Sequence, residues 1–169
     1  WGSSETSIFA VGEYGTILHT TDNGETWDNM TAGGSGIPQT IYGIWGSSAT
    51  DVFAVADSGK IIHYNGTAWS SMTSTITSRL RDVWGFSASD VFIVGESGKI
   101  LHYNGSAWST MTSPTTLTLQ GVWGISSTNV YAVGGPSAAS PGNGARIIKY
   151  NGSVWTEILN SSEVERFHD

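Results

Sequence analysis

Residues 84–108 read WGFSASDVFIVGESGKILHYNGSAW, and residues 45–69 read WGSSATDVFAVADSGKIIHYNGTAW. The second stretch nearly repeats the first, so the fold is to be read from one repeating unit. Working outward, four Trp-Gly anchors appear: Trp1-Gly2, Trp45-Gly46, Trp84-Gly85 and Trp123-Gly124, spaced by 44, 39 and 39 residues. A second tryptophan closes each copy: Trp27, Trp69, Trp108 and Trp155. Each copy splits into four short strand signals, a to d. In the third copy they are Leu80–Trp84, Val91–Val94, Lys99–Tyr103 and Ala107–Met111. These runs are rich in Val, Ile, Phe, Tyr, Trp and Thr and are bounded by Gly, Ser, Asn and Asp. No window holds a helical period. Four strands in about forty residues, repeated, predict an all-β chain of propeller blades. The b strands are apolar nearly throughout, as in Val52-Phe53-Ala54-Val55. That suits a sheet covered on both faces.

The expected domain is single, with blades over 1–31, 38–73, 78–112 and 118–159. Residues 160–169 are expected to supply the inner strand of the next or closing blade. Ser162–His168 aligns with Ser78–Trp84, and the first copy lacks most of its own a strand. Two arrangements stay open: a closed four-blade ring, or half or a fragment of a larger propeller. The chain starts at Trp1 and shows no signal peptide, which suggests a processed product or a piece of something longer.

Composition narrows the partners. The chain has 169 residues, enough for a core without staples. It has no cysteine, so disulfides and Cys-based metal sites are excluded. The net charge is −7, with only seven Lys and Arg, which argues against nucleic acid. No apolar run reaches the roughly 18 residues of a membrane span. With charged residues at 12%, the surface is left to Ser, Thr, Gly and Asn. That suits an extracellular, cell-surface or periplasmic protein. Nothing in the sequence implies a cofactor or a metal.

Between strands c and d the first copy reads Thr20-Thr21-Asp22-Asn23-Gly24-Glu25-Thr26-Trp27. This resembles the Asp-box, S/T-x-D-x-G-x-T-W, of bacterial-neuraminidase-type repeat propellers. Sialidases, sortilin-like receptors and photosystem assembly factors are among them. The resemblance implies a structural box made by Thr20, Asp22, Gly24, Thr26 and Trp27. Asp22 is expected to accept turn amides, Gly24 to allow positive φ, and Trp27 to pack beneath the turn. The later copies are two residues shorter and read Asn-Gly-x-x-Trp from Asn65, Asn104 and Asn151. Asn-Gly makes a tight turn there. That turn also explains three of the five N-x-S/T sequons, those other than Asn29 and Asn160.

Strands alternate direction in a blade, so the b–c and d–a loops share one face. The b–c step is six residues in three copies and fourteen in the fourth, through Gly135–Gly144. The d–a step is 18 residues in the first copy and 15 in the next two. Variable loops on a repeated scaffold are where binding usually resides. This face therefore holds the candidate ligand residues Glu13, Tyr14, Asp57, Glu96, Ser137 and Asn143. The three acids occupy one repeat position and can serve a cation or a basic partner. Read plainly, they are turn residues paired with Lys60 and Lys99. His19, His63 and His102 form a column on strand c. Equivalent positions on separate blades diverge, so packing or surface placement is expected rather than a metal. All eight tryptophans sit at repeat-fixed positions and are read as structural.

A sialidase-like hydrolase is the enzyme reading, and it is disfavoured. That family uses an arginine triad, a tyrosine nucleophile and an acidic partner. Only Arg79, Arg81, Arg146 and Arg166 are present, with no catalytic residue set in sight. The favoured reading is a non-catalytic binding or scaffold module for a protein or a carbohydrate. An alternative is an assembly unit that completes a larger propeller by homodimerisation.

Overall fold

The computed structural model of the protein describes residues 1–31, 39–137 and 144–161, without the Ser161 side chain. The chain divides into two compact units, Trp1–Arg79 and Leu80–Asp169. Each unit holds two blades.

In the first unit, β1 (Ile8–Val11), β2 (Ile17–Thr20) and β3 (Asp28–Asn29) make a three-stranded sheet. The start of the chain adds only a bridge from Gly2 to Ile8. Next come β4 (Ile41–Ser48), β5 (Asp51–Ala56), β6 (Ile61–Tyr64) and β7 (Trp69–Met72), a four-stranded antiparallel meander. The second unit has β8 (Leu80–Ser87), β9 (Asp90–Gly95), β10 (Ile100–Tyr103) and β11 (Trp108–Thr110). Its other meander is β12 (Thr118–Ser126), β13 (Asn129–Gly135), β14 (Ala145–Tyr150) and β15 (Trp155–Ser161). The strands therefore fall where the repeat predicts them. The expected inner strand at 162–168 lies outside the described residues.

The a strands of the second, third and fourth blades carry a β-bulge at the same place. Ile41 faces Ala56 and Gly43 faces Val55, which leaves Tyr42 as the extra residue. By the same count Arg81 is extra in β8 and Gln120 in β12. A bulge turns its extra side chain away from the ladder direction. This matters for the site below.

Blades within a unit join through one recurring contact. In the first unit Phe9 and Ile17, with Trp1, Val11 and Met30 beside them, pack on Val52, Ala54, Ile62, Tyr64 and Trp69 of the next blade. The Phe9 ring lies 6.3 Å from Trp69, edge-on at 84°. In the second unit Phe92, Val94 and Ile100, with Trp84 and Met111, pack on Val130, Ala132, Ile148 and Trp155. The Phe92 ring lies 6.2 Å from Trp155, edge-on at 76°. Edge-to-face pairs at this distance add to the area they bury. The residues correspond position by position along the repeat. The alternation along each strand thus presents a projecting face (Phe, Val, Ile, Met, Trp) and a receiving face (Val, Ala, Ile, Trp). Asp82 reinforces the second joint. Its carboxylate accepts the amides of Val83 and Val122, each at 2.8 Å.

The tryptophans do not all behave as expected. Trp69 and Trp155 are 4% and 6% exposed, but Trp27 and Trp123 are 41% and 51% exposed. The repeat assigns the eight to two sets of four equivalent positions. Burial depends on whether a neighbouring blade covers the face, and periodicity does not report that.

Candidate functional site

The b–c turns at Glu13, Asp57 and Glu96 are one structure repeated. Each acid opens a one-turn 3-10 helix: Glu13–Gly15, Asp57–Gly59 and Glu96–Gly98. The acid's carbonyl accepts the amide three residues on, at 3.0 to 3.2 Å. The middle residue is left-handed in each, with φ of 56° at Tyr14, 58° at Ser58 and 57° at Ser97. The glycine after it is left-handed too, at 67° to 69°. Two successive positive φ values are the type I′ geometry that suits a tight, twisted hairpin. Serine fills the strained first position in two blades. In the first blade it is a tyrosine, 80% exposed. A bulky side chain held left-handed costs roughly 1–2 kcal/mol, and such strain gathers at functional sites.

Two of the acids, Asp57 and Glu96, have guanidinium or phenol partners rather than the expected lysines. Asp57 accepts from Arg79 Nε, and from the Tyr42 hydroxyl at 3.1 Å. The Arg79 guanidinium also lies over the Tyr42 ring, 5.0 Å from its centre. Burial, and then the hydrogen bond to Asp57, push the Tyr42 phenol above its ordinary pKa. Glu96 accepts from Arg81 Nη2 at 2.8 Å. Tyr42 and Arg81 are the bulged residues, and the bulge aims them at the turn. An added backbone residue changes which side chain faces the turn, so reading forward to the nearest lysine misses it. The first blade has no such strand among the described residues. Glu13 there is exposed, and no ion pair reaches it among the described residues.

Ser137 bonds the buried Thr118 hydroxyl at 2.8 Å, close to the start of β12. Asn143 lies outside the described residues, as does most of the Gly135–Gly144 insertion.

The segment 20–27 is a closed hydrogen-bond loop. Asp22 accepts from the Thr20 hydroxyl at 2.7 Å, the Thr26 amide at 2.9 Å and the Thr26 hydroxyl at 2.5 Å. Gly24 has φ of 87° and lies against the Trp27 indole. The Thr26 hydroxyl above all, then the Thr26 amide and the Thr20 hydroxyl, hold the Asp22 carboxyl down to about 2 from 3.8. A depressed folded-state pKa means that the stabilisation is present above the unfolded value. It is lost as pH falls through the folded one. Stability should therefore drop between about pH 4 and pH 2, and Asp22→Asn should flatten that drop. Urea melts of both proteins across this range measure it. In the other copies the Asn65, Asn104 and Asn151 carboxamide oxygens each accept two turn amides at 3.0 Å. A neutral oxygen does the same task there in a shorter turn.

The histidine column is internal packing. His63 and His102 bond Asp51 and Asp90 at 2.6 and 2.7 Å, and each ring sits 4.5 Å from the phenylalanine of strand b. His19 stacks on Phe9 at 4.0 Å and bonds Ser7 at 3.1 Å. Burial lowers the His19 pKa, against an opposing pull from Asp28. In the fourth blade Lys149 lies over the Tyr131 ring at 5.3 Å. The acids at Asp51 and Asp90 were legible in advance. Each precedes its histidine by twelve residues, where Ser7 precedes His19. No group of three metal-ligating side chains exists among the described residues.

All three described arginines meet a carboxylate of their own unit, Arg146 through Glu157 at 3.2 Å. Among the described residues, no helix is long and apolar enough to cross a membrane.

No protein-family model matches the chain, and no curated protein matches it. Solved structures do resemble it. YCF48 bound to a D1 peptide matches at a TM-score of 0.70 and 14% identity, over 96% of this chain and 52% of that one. YCF48 from Cyanidioschyzon merolae matches at 0.69 and 16%, over 96% and 56%. An ancestral GH74 enzyme matches at 0.73 and 14%, over 94% and 25%. The chain thus spans about half the length of the YCF48 structures and a quarter of the GH74 enzyme. At such low identity the likeness speaks to fold alone, and the fold is a β-propeller.

Proposed function

We propose that the chain is a non-catalytic binding module, working outside the cytoplasm, that holds a protein or glycan on its b–c and d–a loop face. The observation carrying this is Tyr14: an aromatic ring 80% exposed, held left-handed where the sister turns carry serine. Beside it stands Glu13, the acid of the three that no arginine reaches among the described residues. A flat ring next to an exposed carboxylate suits a basic or aromatic peptide segment, or the face of a sugar. The YCF48 structure with its D1 peptide supports the peptide choice, since that protein has the same fold. Extracytoplasmic placement rests on the weakly charged, Ser/Thr/Gly/Asn-rich composition.

The test is a peptide and glycan array, followed by Tyr14→Ser. Serine is native to this turn in two blades, so the melting temperature should not fall. Binding should weaken at least tenfold, as on losing a central aromatic anchor. An unchanged affinity would place the ligand elsewhere. The GH74 likeness keeps a hydrolase reading in play, and turnover of a fluorogenic glycoside panel would establish it instead.

A further inference from the structure

The b–c turn of the first blade lacks cations that its two sisters carry. It reads Glu13-Tyr14-Gly15-Thr16, where the second blade has Asp57-Ser58-Gly59-Lys60 and the third has Glu96-Ser97-Gly98-Lys99. Threonine replaces the lysine, and its hydroxyl donates to the Glu13 carbonyl at 2.7 Å. The arginine is exchanged as well. Arg79, which donates to Asp57, immediately precedes β8, and the residue immediately preceding β4 is Thr40. The Ile41 amide donates to the Gly12 carbonyl at 3.0 Å, so the start of β4 runs past the first blade's turn. In the repeat Thr40 therefore takes the place of Arg79, and it brings no charge. The acid and the reversed backbone are kept, with positive φ at the tip and at the glycine in all three turns. The tip is open in every copy, since Ser58 and Ser97 are exposed as Tyr14 is.

The second blade shows what such a turn holds. There a carboxylate and an aromatic ring share one guanidinium: Arg79 donates to Asp57 and lies over the Tyr42 ring, 5.0 Å from its centre. The third blade repeats the choice, with Arg81 on Glu96 at 2.8 Å. No ion pair joins Asp57 to Lys60, or Glu96 to Lys99, among the described residues, although each lysine stands only three residues away. A guanidinium is planar, weakly hydrated and forked, so it can stack on a ring and meet a carboxylate at once. A lysine ammonium is compact and strongly hydrated, and gains less from either group. The first blade's turn offers the same two groups, both exposed, from neighbouring residues rather than from strand and turn.

We propose that this turn takes an arginine side chain of a protein partner, with the guanidinium flat on the Tyr14 ring and its edge toward the Glu13 carboxylate. This recognition rests on the loop-face reading above and narrows its ligand to one side chain. The net charge of −7 draws a basic partner toward the chain.

The probes are two blocked pentapeptides, Gly-Gly-Arg-Gly-Gly and the same sequence with citrulline, the neutral isostere of arginine. Amide chemical shifts of the isotopically labelled 169-residue protein follow each titration, up to about 10 mM peptide. The arginine peptide should move the Glu13–Thr16 amides. The citrulline peptide should bind about tenfold more weakly, having lost an exposed cation–π contact and an exposed ion pair together. Glu13→Gln should weaken the arginine peptide about threefold. Tyr14→Phe keeps the ring and should hold the affinity within about twofold. Both changes are at exposed side chains and should leave the melting temperature in place. Equal binding of the two peptides overturns the proposal. So do shifts confined to other turns, no shift at all, or an affinity indifferent to Glu13→Gln. The loop-face reading fails separately. An array ligand that needs Tyr14 but no arginine sustains that reading and overturns this one, whereas array ligands that all survive Tyr14→Ser overturn both.

Discussion

Phe92→Ala should cost the second unit about 3–5 kcal/mol, the range for deleting a buried aromatic ring. Phe92 is 1% exposed and sits among rings of both blades. Its ring stands edge-on to Trp155, lies 5.7 Å from Tyr150, and backs on His102 at 4.5 Å. Removing it empties the middle of the joint and leaves the His102–Asp90 pair without its packing wall. Urea denaturation followed by tryptophan fluorescence measures the loss. A companion change separates volume from polarity. Phe92→Tyr keeps the ring but adds a hydroxyl to a sealed site, and should cost roughly 1–3 kcal/mol for an unsatisfied polar group. Tyrosine stands naturally at this position in blade four, where Tyr131 is half-buried. A neutral Phe92→Tyr would therefore mean that the joint is looser than its burial indicates.

Gly59→Ala should be nearly as damaging, about 3 kcal/mol, by a different route. The φ of +69° alone costs an alanine about 1–2 kcal/mol. The added Cβ would also stand 1.7 Å from the Ile76 carbonyl oxygen and 2.5 Å from its carbon. Both are backbone atoms, so no rotamer change gives relief, and the 73–77 segment has to move. Gly12→Ala is the contrast: nothing lies within 4 Å of its Cβ position, and its φ of −169° is ordinary extended backbone. It should melt within a degree or two of the parent, well inside the shift that about 1 kcal/mol produces. Thermal melts of both variants decide it. Equal effects would show that glycine is needed in the turn for reasons other than the Ile76 contact.

Much of the architecture could be read in advance because a repeat supplies four observations of each strand. Val91–Val94 alone is an apolar run of ambiguous kind. Beside Val52–Val55 and Val130–Val133 it is a b strand, and β5, β9 and β13 follow it. The turn at Asp22 was legible for a similar reason, since its hydrogen bonds are local and span four residues. The site was less legible. Asp57 and Glu96 find Arg79 and Arg81 at separations of 22 and 15 residues. For Glu96 the match also depends on a bulge, which shifts side-chain facing by one. Periodic text does not encode where that extra residue sits. Nor does it separate Trp27 from Trp69 and Trp155, or Trp123 from Trp45. Exposure there is a property of the neighbouring sheet and not of the residue.

The position-by-position match between the two joints has a consequence for how such a chain changes length. Any blade whose sides carry the same residues can follow any other, because the contact chemistry does not depend on which copy supplies it. The step from Trp45 to Trp84 and from Trp84 to Trp123 is 39 residues in both cases. A duplication or loss of one whole step therefore leaves a side-to-side contact of the kind seen within each unit with an equivalent partner. A change of a few residues within a strand shifts its facing and mismatches both sides at once. The repeat thus tolerates growth in whole blades, while its individuality is confined to the turns, where Tyr14 replaces serine and the Gly135–Gly144 segment is lengthened.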